Sequence, residues 1–293
     1  MIDNLTKYGF EVNYQPGIQR DQLLKMVADY DVLVFRGRMR VDKELIDLGS
    51  NLKILARYGV GLDNVDVDYA ISKGIAVVNV PTASTVSVAE LTMALILSLF
   101  RNLYYVIHSV KTGLWPKGEF VGRELNGKKL GIIGFGRIGG RVAYYGRAFG
   151  MKILAYDVRN VSRELRDVEG VQVDLTELLS ECDVITLHVP LTPSTYRMLN
   201  DKTLSFIREG SFLTNVNRGE VIDTAALIKH LDRLGGVALD VLEEEPPRSE
   251  LMAKLVKHPK VIVTPHIGSE TVEAMDRLAD ELIHNILEVI RWL

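Results

Sequence analysis

Side chains that together could move a hydride and a proton stand just beyond apolar runs in the second half of the chain. Arg218 follows Ser211-Phe-Leu-Thr-Asn-Val216, and Asp240 closes Gly236-Val-Ala-Leu-Asp240. Glu245 lies in Leu242-Glu-Glu-Glu-Pro246, and His266 follows Val261-Ile-Val-Thr264 through Pro265. Taking a hydride from a secondary alcohol requires a base for the hydroxyl proton, and histidine titrates near neutrality. A carboxylate on the other ring nitrogen fixes the tautomer, and a guanidinium can grip a substrate carboxylate. On spacing alone His188 has the same strand-end placement as His266, and Asp240 and Glu245 are both available as the carboxylate.

For these residues to meet, their runs must share one edge of a sheet. The apolar runs 31–35, 52–56, 76–79, 129–134, 152–157, 183–188, 211–216, 236–240 and 261–264 are short, β-branched and nearly continuous. That pattern suits parallel strands covered by helices on both faces, where ligands bind beyond the carboxyl ends. Helical patterns alternate with them. The longest starts near Thr85, with Ser87 and Glu90 at capping-box spacing, and another runs from Thr271 to Trp292. The expected fold is α/β, with two doubly wound parallel-sheet domains. A Rossmann-type cofactor domain, residues 84–268, is inserted in a flavodoxin-like substrate domain, residues 1–83 completed by 269–293.

The clearest motif is Gly134-Phe135-Gly136-Arg137-Ile138-Gly139, set between a strand pattern and a helical one. Gly134 permits a tight turn, Gly136 lets a pyrophosphate approach the backbone, and Gly139 lets helix and strand pack closely. Arg137 and Ile138 open the helix, whose free N–H groups and positive dipole end favour phosphate. Asp157 ends the next strand, 18 residues after Gly139. A carboxylate there binds ribose hydroxyls and repels a 2′-phosphate, so NAD is the expected cofactor, with Arg159 the one feature in favour of NADP.

Composition excludes other classes. The 293 residues are 47% hydrophobic and 25% charged, with a net charge of −3, so there is no general attraction to nucleic acid or anionic membrane. A single cysteine, Cys182, leaves no internal disulfide or cysteine-rich metal site. The most apolar stretch, 91–100, is too short for a bilayer, and no basic leader opens the chain. A cytoplasmic protein with a small-molecule partner and no metal is expected.

Five stretches, 130–139, 188–195 (His-Val-Pro-Leu-Thr-Pro-Ser-Thr), 215–223 (Asn-Val-Asn-Arg-Gly-Glu-Val-Ile-Asp), 238–247 and 264–268 (Thr-Pro-His-Ile-Gly), resemble the D-2-hydroxyacid dehydrogenases in content and order. The resemblance implies Arg218 as the substrate-orienting arginine, His266 as acid/base and Glu245 as its partner, since the family's glutamate immediately precedes the proline. It further implies Asp240 against the nicotinamide carboxamide, with His188, Val189, Pro190, Thr192, Asn217 and Gly268 along the cofactor. Formate dehydrogenases are similar but carry Gln in place of the glutamate. A dimer through the cofactor domain is implied, and the apolar helix 87–100 suits either that or core burial.

The segment Ala-Arg-Tyr-Gly-Val-Gly-Leu-Asp-Asn-Val-Asp (56–66) looks most like the branch acting on 3-phospho-D-glycerate. Val60 and Gly61 would then offer backbone N–H groups to the substrate carboxylate. Independently, Arg36 and Arg57 each follow a strand end and are expected to bind a phosphate, with Arg38 or Arg40 as weaker contributors. Two features depart from the family. The chain starts in what reads as the first helix, so a preceding strand is expected to be absent from it. Glu270 follows Gly268-Ser269 where relatives carry small residues, and near the site it would weaken an anionic substrate. A regulatory domain after Trp292 is not expected. Besides oxidation of 3-phospho-D-glycerate, the same features fit a glyoxylate or hydroxypyruvate reductase, or an NAD(H)-sensing corepressor-like binding protein.

Overall fold

Successive residues of a strand point to opposite faces, so a continuously apolar strand needs cover on both. The structure, a computed structural model, describes residues 1–37 and 39–292, and supplies that cover in two units. One is Met1–Ser84 with Glu270–Leu293, the other Thr85–Ser269.

The first unit runs α1 (Ile2–Lys7), α2 (Arg20–Met26), β1 (Val32–Phe35), α3 (Lys43–Leu48), β2 (Ile54–Arg57), α4 (Val67–Ser72) and β3 (Ala76–Val78). Its sheet has the order β1-β2-β3, all parallel. Leu55 packs with Leu23, Val27 and Leu45 on one face. Ile54 and Ala56 pack on the other against Leu278, Leu282 and Ile286 of the last helix. A full flavodoxin-like sheet has more strands. Here residues 10–15 join no ladder and β1 is an edge among the described residues. Phe35 pairs in register with Arg57, so Arg36, the next residue, and Arg57 emerge at the same carboxyl edge.

The second unit opens with α5 (Thr85–Phe100) and α6 (Leu103–Lys111), followed by β4 (Lys129–Ile133), α7 (Arg137–Ala148), β5 (Lys152–Tyr156) and β6 (Val171–Gln172). Then come α8 (Leu175–Glu181), β7 (Val184–Leu187), α9 (Asp201–Ser205), β8 (Phe212–Asn215), α10 (Thr224–His230), β9 (Gly236–Leu239), α11 (Glu250–Val256) and β10 (Val261–Val263). The seven parallel strands have the order β10-β9-β8-β7-β4-β5-β6, which reverses between β4 and β7. Leu130, Ile132 and Ala238 face α5 and α7, while Ile133, Ile185 and Val237 face the opposite core. α12 (Val272–Ile290) returns the chain to the first unit, capped by Thr271, whose side chain accepts from the Ala274 N–H.

The predicted strands all form, most of them a residue or two shorter, whereas the two-residue β6 carries no readable period. The capping-box expectation at α5 is corrected. The helix has already begun at Thr85, and the Ser87 hydroxyl donates instead to the carbonyl of Gly268 at 2.8 Å. The apolar character of α5 is explained by its own unit: Val88, Met93, Leu95, Ile96, Leu99 and Phe100 are all buried in that core. Among the described residues no single helix is long and apolar enough to cross a membrane. Ile96 is fully buried. Ile96→Ala is expected to destabilise the second unit by about 2–5 kcal/mol, read from its denaturant midpoint.

Candidate active site

At the reversal of strand order, the loops after neighbouring strands diverge and leave a crevice beyond their ends. The loop after β4 is the glycine turn. Gly134 has φ +92°, and a Cβ there would lie 2.6 Å from the His188 carbonyl oxygen, so only glycine fits beside the end of β7. A Cβ on Gly139 would lie 2.2 Å from the Gly134 carbonyl oxygen, which fixes how closely α7 approaches β4. At Gly136, the residue before α7, nothing stands within 4 Å of such a Cβ. Gly136 and Arg137 are exposed and Ile138 partly so, which leaves the N-terminus of this 12-residue helix open to an anion.

Asp157 sits just past β5 and is tied to the same turn. One carboxylate oxygen accepts from the Phe135 N–H at 2.8 Å and the other from the Arg159 N–H at 2.9 Å. The Arg159 guanidinium lies 3.4 Å from Asp157 and donates to the Phe135 carbonyl at 3.1 Å. Burial pushes the Asp157 carboxyl upward, but these N–H groups and the guanidinium outweigh it, and it titrates below the usual range. An ionised carboxylate beside an open helix N-terminus fits the NAD expected there, with hydroxyls on the acid and phosphates on the helix.

The loop after β7 carries His188, Val189, Pro190 and Thr192. His188 Nε2 is 3.0 Å from the Thr186 hydroxyl, and its buried Nδ1 has no partner among the described residues. Burial pushes this imidazole down to about 3. Thr192 is held in a local turn, its hydroxyl 3.0 Å from that of Thr195. The Asn217 side chain donates to the Val189 carbonyl, joining this loop to the one after β8.

His266, Glu245 and Asp240 are brought together by the ends of β9 and β10. His266 Nδ1 lies 2.9 Å from one Glu245 carboxylate oxygen, while the other accepts from the Leu242 N–H at 2.8 Å. Glu245 is thus fixed by backbone and in turn fixes the ring, leaving Nε2 as the nitrogen not engaged by the glutamate. His266 itself takes a left-handed backbone, φ +57°. That conformation is held by Asp240, which is 1% exposed. Asp240 accepts from the Thr264 hydroxyl at 2.5 Å, the Ile267 N–H at 2.9 Å and the Gly268 N–H at 2.9 Å. Burial pushes the Asp240 carboxyl up despite these three donors. Its observed partners all belong to the turn that carries His266.

Arg218 follows β8, and its guanidinium donates to the Asn217 carbonyl at 2.7 Å. The next residue, Gly219, packs against the glutamate loop: a Cβ on it would lie 1.9 Å from the Leu242 carbonyl carbon. The loops bearing Arg218 and Glu245 are therefore in direct backbone contact. The second loop is held by Arg197, which carries no sequence signal, and by Glu243, a neighbour of Glu245 in the acidic run. The Glu243 carboxylate accepts from Arg197 Nε at 3.1 Å and from the Thr224 N–H at 2.9 Å. The left-handed φ of Arg197, +48°, is the one conformational mark of this anchor.

In the first unit Arg57 donates to the Gly61 carbonyl at 3.3 Å and lies over the Phe35 ring at 5.6 Å. The Val60 carbonyl accepts from the Asn79 side chain at 2.6 Å. Arg36 pairs with Glu270 at 3.1 Å. Arg40 lies 3.9 Å from Asp42, and Arg38 lies outside the described residues. Among the described residues, no three His, Cys, Asp or Glu side chains are grouped to hold a metal ion.

Residues 93–268 match the model of the D-isomer specific 2-hydroxyacid dehydrogenase NAD-binding domain. The chain is 44% identical over 273 residues to a hydroxypyruvate reductase of Thermotoga maritima, covering 92% of this chain and 88% of that one. It is 41% identical to a D-3-phosphoglycerate dehydrogenase of Methanocaldococcus jannaschii, covering 96% of this chain but 54% of that one. It thus spans about half the length of this relative and of the others with the same name. A D-lactate dehydrogenase of Aquifex aeolicus, solved with NAD and lactic acid, superposes with a TM-score of 0.84 at 35% identity over 92% of this chain and 85% of that one.

The buried His188 has a consequence for stability. An unfolded chain protonates this side chain near its ordinary value of 6.5, the folded one only near 3. The unfolded state therefore binds more protons in that window, and folding loses stability as pH falls through it. His188→Gln is expected to flatten the acid side of the stability profile between these values, checked by denaturant melts at successive pH.

Proposed function

Since the chain belongs to the D-isomer specific 2-hydroxyacid dehydrogenases, NAD-dependent oxidoreductases, we propose that it oxidises 3-phospho-D-glycerate to 3-phosphohydroxypyruvate. This is the first step of a phosphorylated route to serine. The 2.9 Å pair of His266 Nδ1 with a backbone-anchored Glu245 carboxylate supports the dehydrogenase chemistry, and the observation that carries the phosphorylated substrate is the placement of Arg36 and Arg57 at one strand edge.

In this reading Gly134, Gly136, Arg137, Ile138 and Gly139 hold the pyrophosphate of NAD and Asp157 its adenosine ribose. His188, Val189, Pro190, Thr192, Asn217, Asp240 and Gly268 border the nicotinamide side. When bound, NAD supplies the hydride acceptor. His266 takes the hydroxyl proton at Nε2, and Glu245 stabilises the imidazolium through Nδ1–H. Arg218 orients the substrate carboxylate and polarises the C2 oxygen. Asp240 acts chiefly by holding the turn that aims His266. In the first unit Val60 and Gly61 present N–H groups to the carboxylate, and Arg57 and Arg36 take the phosphate.

A second reading, reduction of hydroxypyruvate or glyoxylate, is favoured by one observation: a carboxylate already pairs with Arg36. The name and near-full-length coverage of the Thermotoga relative support it as well. A spectrophotometric screen of 2-hydroxy and 2-oxo acids with NAD(H) and NADP(H) separates the two. With 3-phospho-D-glycerate and NAD, His266→Gln is expected to lower kcat about 100- to 10,000-fold while NADH binding is retained. Arg57→Ala should lower kcat/KM only for the phosphorylated acid. Absence of turnover with every 2-hydroxy acid, alongside tight NADH binding, would replace both readings with a binding protein.

The same reading places the protein in the cytoplasm as a homodimer. Support for the dimer comes from α6, none of whose residues is buried, rather than from α5. Leu103, Ile107 and Val110 share a face by helical spacing and are exposed, as are Leu114 and Trp115 beyond the helix. Light scattering is expected to give two copies for the native chain and one for Ile107→Ser/Trp115→Ser.

A further inference from the structure

The two arginines at the carboxyl edge of the first sheet are held differently. Arg57 has the Gly61 carbonyl and the Phe35 ring beside it. Arg36 lies over the Tyr58 ring at 5.7 Å and donates from Nη2 to a Glu270 carboxylate oxygen at 3.1 Å. Both neighbours of Arg36 are themselves fixed. The Tyr58 hydroxyl donates to the Met275 carbonyl at 2.8 Å. Glu270 immediately precedes Thr271, the cap of α12. The carboxylate therefore comes from a backbone position set by the start of a helix.

The Arg36 and Glu270 side chains are 46% and 50% exposed. A pair so exposed contributes little to folding. Its effect is on an incoming anion, because the guanidinium edge that a second anion would use already has a partner. The formal charges of Arg36 and Glu270 cancel. An anionic tail gains the arginine only by displacing the glutamate, and it meets a like charge on the way. A neutral hydroxymethyl tail has no such competition.

We propose that Glu270 is a specificity-determining residue, which occupies Arg36 in the free enzyme and thereby sets the preference between a three-carbon acid with an anionic tail and one with a neutral tail. The inference rests on the assignment of Arg36 to the substrate tail made above. It goes beyond that assignment in giving the preference a tunable counter-charge.

The test is the ratio of kcat/KM for 3-phospho-D-glycerate to that for D-glycerate, measured for the native enzyme, Glu270→Gln, Arg36→Ala and the double variant. Glu270→Gln should raise the ratio about fivefold, through KM for the phosphorylated acid, with the gain shrinking at high salt. Inorganic phosphate should inhibit the Gln variant more strongly, and the double variant should show no gain over Arg36→Ala. If Arg36→Ala lowers the ratio but Glu270→Gln leaves it unchanged, the inference is overturned and the tail assignment stands. If Arg36→Ala leaves the ratio unchanged, the tail assignment fails and takes the inference with it.

Discussion

The arrangement around His266 depends on one buried carboxylate. Asp240 is almost inaccessible to water, and an ionised group in that position is costly unless its oxygens are occupied. Three donors meet the requirement, all from the turn Thr264–Gly268. The demand for donors dictates the turn, including the left-handed backbone at His266. Gly268 belongs to the same constraint, because a Cβ there would lie 3.2 Å from the carboxylate, and its carbonyl receives the Ser87 hydroxyl of α5. The helix that fills the core behind the sheet thus also braces the turn.

Close backbone approach provides the second level of control. Gly134 and Gly139 let β4, α7 and the end of β7 converge, while Gly219 sets the loop of Arg218 against that of Glu245. At each position a methyl group would collide with backbone, which cannot move aside as a flexible side chain can. The open N-terminus of α7 and the His266–Glu245 pair are therefore positioned by main-chain packing. Side chains then complete them: Asp157 on the glycine turn, and Arg197 with Glu243 on the glutamate loop.

This division explains what could be read from sequence. Strands covered on both faces must be apolar throughout, so nine of them are visible as runs, and the glycine turn is visible because Gly134 and Gly139 leave no room for a side chain. The placement of Arg218, Glu245 and His266 follows from strand ends, but the choice between Glu245 and Asp240 needed family likeness. Both are acids after the same strand, and only the three-dimensional fold gives one to the imidazole and the other to backbone N–H groups. Ser87 misled because its spacing to Glu90 fits a cap, while its partner Gly268 lies far along the chain. Arg197–Glu243 and Arg36–Glu270 had no local signal: their sequence separations are 46 and 234 residues.

The two kinds of residue also differ in how freely they can change. Around His266, Asp240 is buried and Glu245 and Arg218 are bound to backbone, so replacing one of these three strands polar partners and carries a penalty. The groups assigned to the substrate tail include an exposed ion pair whose loss scarcely affects folding. Selectivity for an anionic tail can therefore be adjusted by single charge changes at Glu270 without disturbing the turn at His266. Relatives named for phosphorylated and for unphosphorylated acids have similar identity to this chain. That pattern is expected where the chemistry is rigidly held and the tail preference rests on a few surface charges.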